Sequence, residues 1–125
     1  MYEVRYSNFK NLMYMEGNVM VISVNDDNFK EEVLNSNIPA IVKLYADWCP
    51  YCRKFAPVFD KVSAEYEDKA KFIAMDVDLS PETPKEYKVN TIPTVIIFKD
   101  GEKVNEYINP QTEEVLKNFL QENLN

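Results

Sequence analysis

Short apolar runs decide most of what this chain can become. Ile41-Val42-Lys43-Leu44-Tyr45, Phe72 to Val77 and Thr94-Val95-Ile96-Ile97-Phe98 are rich in β-branched and aromatic residues and almost free of polar ones. Runs of that length and character read as strands buried on both faces. A sheet covered on both sides needs helices, and the intervening segments supply them. After a first strand over Val19 to Val24, Asn25-Asp26-Asp27 offers capping side chains, and Phe29, Val33 and Leu34 follow at helical spacing. A long helical stretch runs from Cys49 to Glu67 with the stripe Phe55, Val58, Phe59 and Val62, and Pro57 inside it predicts a kink. Pro81 to Tyr87 reads as a short helix. Asp100-Gly101 reads as a hairpin turn into a strand over Glu102 to Ile108. Asn109 is the expected cap of the last helix, with Pro110 in its first turn and Val115, Leu116, Phe119 and Leu120 on its buried face. The order β-α-β-α-β-α-β-β-α predicts an α/β fold, a mixed sheet with helices on both faces and right-handed crossovers.

At 125 residues the chain suits one domain over residues 19–125, with residues 1–18 as an extension. In that extension Tyr2, Val4 and Tyr6 alternate with polar residues, as in a short strand, and Glu16-Gly17-Asn18 reads as a turn. Met13, Met15 and Met20 are alternative start positions. A net charge of −7 works against binding nucleic acid or an anionic membrane surface. No apolar run reaches the roughly 18 residues of a membrane span, and residues 1–18 lack the apolar core of a secretory signal. The expectation is a cytoplasmic monomer.

Histidine is absent, which removes imidazole acid–base chemistry and most zinc sites. Two cysteines, Cys49 and Cys52, cannot form a disulfide framework, and in a reducing compartment a close pair reads as catalytic or metal-binding. Cys49 sits where a strand gives way to a helix, and unpaired N–H groups at a helix start favour a thiolate, the nucleophile of disulfide exchange. Two intervening residues put Cys52 about one turn on, on the same side, placed to resolve a mixed disulfide. Pro50 suits the first turn. Buried, inert cysteines are the bland alternative. A metal site needs about four ligands, so zinc or an iron–sulfur cluster would require two chains.

Tyr45-Ala46-Asp47-Trp48-Cys49-Pro50-Tyr51-Cys52-Arg53, Pro57, Ile92-Pro93-Thr94 and Phe98-Lys99-Asp100-Gly101 together resemble the thioredoxin family. The resemblance runs from Val19 to the C-terminus. It implies the thioredoxin fold, with sheet order 1-3-2-4-5, a cis-proline at Pro93 facing the cysteines, and an Ile92 backbone that pairs with an extended substrate. It implies exchange with protein disulfides, no bound cofactor beyond the Cys49–Cys52 disulfide, and re-reduction by a separate reductase of the thioredoxin-reductase type.

The chain departs from the family pattern in three places. Pro50-Tyr51 between the cysteines is similar to the glutaredoxin dipeptide and implies a less reducing potential. A glutathione-dependent reductase is therefore the runner-up, although the Gly-Gly turn that helps glutaredoxins hold glutathione is missing after Phe98. The family's buried aspartate aligns with Lys43 and its lysine partner with Ala74. Lys43 then either snorkels to water or modulates the cysteines as a buried ammonium paired with Asp76. A family glycine beside the substrate groove aligns with Asn109. Trp48 and Tyr51 flank the cysteines and read as a substrate-contact surface, with core packing as the alternative. Tyr45 reads as core. Asp47 reads as a helix cap or as a modulator of Cys49.

Overall fold

The computed structural model describes residues 12–16 and 19–124, with side chains from Val21 onward. The strand expected near Tyr2 to Tyr6 and the turn at residues 16–18 lie outside the described residues.

Six strands are described: β1 (Leu12–Glu16), β2 (Val19–Ser23), β3 (Ala40–Tyr45), β4 (Lys71–Asp76), β5 (Thr94–Lys99) and β6 (Glu102–Ile108). They form one sheet in the order β1-β2-β4-β3-β5-β6. Counted from β2, this is the expected order 1-3-2-4-5. β1 was not expected; it adds an antiparallel edge strand, with Glu16 opposite Val19. β3 pairs parallel with β4 and antiparallel with β5, so it is the strand between the parallel and antiparallel parts. Asp100 and Gly101 both have positive φ, at 54° and 83°, as a two-residue hairpin between β5 and β6 requires.

The helices are α1 (Pro50–Glu65), α2 (Glu82–Glu86) and α3 (Glu113–Leu124). The expected helix near Phe29 is a single π-helical turn, Lys30–Leu34, closed by the Asn35 N–H on the Lys30 carbonyl. α3 starts later than expected. Asn109 has φ of 58° and donates its N–H to the Pro93 carbonyl at 2.7 Å, a left-handed residue outside the helix. Thr112 takes the cap instead, its hydroxyl accepting the Val115 N–H at 3.1 Å.

Strand period divides the core. On one side Ile41, Phe72, Val95 and Ile97 meet Phe55, Phe59 and Val62 of α1 and Leu116, Phe119 and Leu120 of α3. On the other Val42, Leu44, Ile73, Ile96 and Phe98 meet Phe29 and Val33. Lys43, two residues from Ile41, therefore projects onto the α1 side.

Candidate active site

α1 begins at the end of β3, and its cap is a cysteine. Cys49 precedes the first helical residue with extended backbone angles, and its Sγ accepts the Cys52 N–H at 3.2 Å. A sulfur thus occupies the position a Ser or Asp oxygen usually holds, against the positive end of the helix. Asp47, expected as a cap, is not one; its carbonyl accepts the Arg53 guanidinium at 2.9 Å. Pro50 fills the first helical position, and Pro57 lies inside α1 without ending it.

Across from the cysteines, Ile92-Pro93 is a cis peptide bond. The Cys49 thiol points to the Ile92 carbonyl at 3.9 Å. Pro93 leads into β5, and its carbonyl accepts the Asn109 N–H. Both cysteines are reduced and nearly enclosed, beneath Ala46, Tyr45, Val77 and Ile92. Trp48 and Tyr51, by contrast, are 65% and 57% exposed, which takes them out of the core. The Trp48 indole donates to the Asp78 carboxylate at 2.8 Å. Gln111 donates to the Tyr51 carbonyl at 3.2 Å and also reaches the Asn109 side chain.

Behind Cys52 lies a cleft of about 240 Å³ lined by Lys43, Tyr45, Asp47, Arg53 and Asp60 among others. Lys43 does not snorkel to water. It is 5% exposed, with Nζ 5.0 Å from the Tyr45 ring centre and 5.2 Å from that of Phe59. Burial lowers its pKa, opposed by the charges of Asp60 and Cys52. Burial raises the pKa of Asp60, and Lys43 opposes that rise. The expected partner Asp76 is engaged elsewhere: its carboxylate accepts the N–H groups of Asp78 at 2.8 Å and Leu79 at 3.4 Å. The Cys52 thiol is pushed up to about 11, first by burial and then by its hydrogen bond with Cys49.

Asp60, Asp78 and Gln111 are site residues the sequence did not single out. Asp60 lies two i+4 steps past Cys52, through Ala56, on the expected helix, so helical periodicity held a usable signal for it. Nothing local marked Asp78 or Gln111, which reach the site from other segments.

Residues 20–122 match the sequence model of the family described as Thioredoxin. A thioredoxin of Rickettsia typhi is 40% identical over 105 residues, covering 84% of this chain and 100% of that protein. Thioredoxin 1 of Synechococcus elongatus is 38% identical over 102 residues, covering 82% and 95%. The chain belongs to the thioredoxin family. With Cys49 capping α1, Cys52 in its first turn and the cis-proline across from them, it is a thiol–disulfide oxidoreductase, a protein-disulfide reductase. The family match favours neither the glutathione-dependent alternative nor the two-chain metal module. Among the described residues of this thioredoxin-family protein, no three His, Cys, Asp or Glu side chains gather as metal ligands. No described helix is long and apolar enough to cross a membrane.

Proposed function

We propose that Cys49 attacks the substrate disulfide and Cys52 resolves the mixed disulfide. The Cys49 Sγ attacks one sulfur, the substrate S–S bond breaks, and the departing sulfur takes a proton. The Cys52 thiolate then attacks the Cys49 Sγ, the second substrate sulfur leaves and is protonated, and a Cys49–Cys52 disulfide remains. Two electrons have passed to the substrate. The observation that carries these roles is the position of the Cys49 Sγ, which accepts the Cys52 N–H at the helix start.

A substrate strand running beside Ile92 and Pro93, in contact with Trp48, Tyr51 and Asn109, suits the same groove. The exposed rings flank the thiols, and Asn109 narrows the wall that Gln111 braces. A separate thioredoxin-reductase-type donor would restore the dithiol, and no further cofactor is required. The working compartment is the reducing cytoplasm, where a close cysteine pair stays available. Catalysis of insulin reduction by dithiothreitol tests this reading. Wild type is expected to accelerate it and Cys49→Ser to abolish the acceleration; equal rates would refute the assignment.

Pro50-Tyr51 supports a potential above the roughly −270 mV of thioredoxin, toward the roughly −200 to −230 mV of glutaredoxins. Equilibration with glutathione buffers measures it. A value at or below about −270 mV removes this part of the reading.

A further inference from the structure

Lys43 is the one buried cation on the α1 side of the described core, and the exchange chemistry above leaves it without a task. Its surroundings are specific. The neighbouring strands present Ala74 and Val95 beside it, and β2 contributes Val21. The aromatic faces of Tyr45 and Phe59 flank its Nζ. The charged and titratable groups sharing its cleft are Cys52, Asp60, Arg53, Asp47 and Tyr45. Arg53 donates to the Asp47 carbonyl. Asp60, on α1, and Cys52 are the groups whose charges favour the ammonium.

A buried ammonium facing a buried thiol bears on the second half of the reaction. In the free dithiol, Cys52 is held protonated by burial and by Cys49, as hydrogen-bond partner and as charge; Lys43 and the Ala46 backbone oppose this. Once Cys49 is tied up in a mixed disulfide it has no charge to contribute. Desolvation then stands against Lys43 and Ala46 alone.

From this arrangement the geometry points to Lys43 as a positioning residue for resolution: its ammonium, favoured by the charge of Asp60 in the same cleft, stabilises the Cys52 thiolate within the mixed disulfide. The Cys52 thiol releases its proton through the cleft to solvent, and Lys43 keeps its own. The thiolate attacks the Cys49 Sγ, the bond to the substrate sulfur breaks, and that sulfur leaves with the electron pair and takes a proton from solvent. The inference rests on Cys52 being the resolving group.

An aryl disulfide with a coloured thiolate, dithiobis(nitrobenzoate), separates the two halves. Cys49 attack releases the first thiolate and Cys52 attack releases the second. In Lys43→Met the second release is expected to slow about tenfold at neutral pH, with its pH midpoint about one unit higher, while the first keeps its wild-type rate. Asp60→Asn, outside the strand core, is expected to shift the second release the same way by less, and to add nothing in the Lys43→Met background. Unchanged second release in either variant, equal slowing of both releases, or an additive double variant would overturn the inference. If Lys43→Met does not fold, Asp60→Asn decides alone. Absence of a second release in wild type would instead refute the resolving role of Cys52 itself.

Discussion

At Lys43 the chain takes an ammonium out of water and surrounds it with two aromatic faces and a half-buried carboxylate. A buried ammonium with no ion-pair contact carries a desolvation cost that an apolar side chain of similar volume does not. Lys43→Met is therefore expected to be more stable than wild type at neutral pH. The sign of its pH dependence follows from the lowered pKa. Between the folded value and the ordinary 10.5, the unfolded chain binds more protons, so wild-type stability rises with pH through that window. The advantage of Lys43→Met should shrink there, as urea unfolding of the two oxidised proteins will measure. Asn109 has a backbone reason for its identity. At φ of 58° a β-branched side chain is strained, so Asn109→Val should cost about 1–2 kcal/mol in the same measurement. The sequence located Lys43, Asn109 and both cysteines but misjudged partners. Asp76, on β4, looked available, yet it closes its own loop, and Asp60 of α1 takes its place beside Lys43.

Whereas the edge strand β1 was missed, the central strands β3, β4 and β5 were legible because each is an apolar run whose alternation matches its two packed faces. Helix starts were less so. Asn suits both a cap and a left-handed turn, and at Asn109 the turn wins because its N–H is required by the Pro93 carbonyl. Thr112 is the working cap of α3, and the helix behind it buries Leu116, Phe119 and Leu120. Thr112→Ala should cost about 1 kcal/mol in thermal unfolding and leave insulin reduction untouched, since the lost bond lies outside the groove. At α1 the cap is the sulfur of Cys49 itself. Sequence placed it at the strand–helix junction but offered Asp47 as the helix cap or as a modulator of Cys49. That difference matters chemically, because the group that satisfies the helix start is also the proposed nucleophile.

At the scale of the molecule, folding and redox chemistry are linked through a closed cycle. The dithiol and the disulfide each fold with their own free energy, and the difference between those energies sets how far the folded pair's potential departs from that of the unfolded chain. A potential 40–70 mV above thioredoxin's corresponds to about 2–3 kcal/mol in favour of the reduced form. If Pro50-Tyr51 supplies this, the double variant Pro50→Gly, Tyr51→Pro should lower the potential by about 40–70 mV. The gap between oxidised and reduced stability should move by the matching energy, after correction for the unfolded chain's own potential. The reduced form also carries a pH signature that the oxidised form lacks. The Cys52 pKa rises on folding from 9.0 to about 11, so the native state holds this proton more tightly than the unfolded chain. Its contribution is fully present below pH 9.0 and is lost as the pH rises through about 11. Oxidation removes that proton altogether. Urea unfolding of both forms across this range should therefore show the contribution of Cys52 eroding reduced stability alone. The folded pair should become progressively easier to oxidise, relative to the unfolded chain, as the pH climbs. Cys52→Ser, compared with the reduced wild type, should remove that part of the slope and so assign it to the resolving thiol.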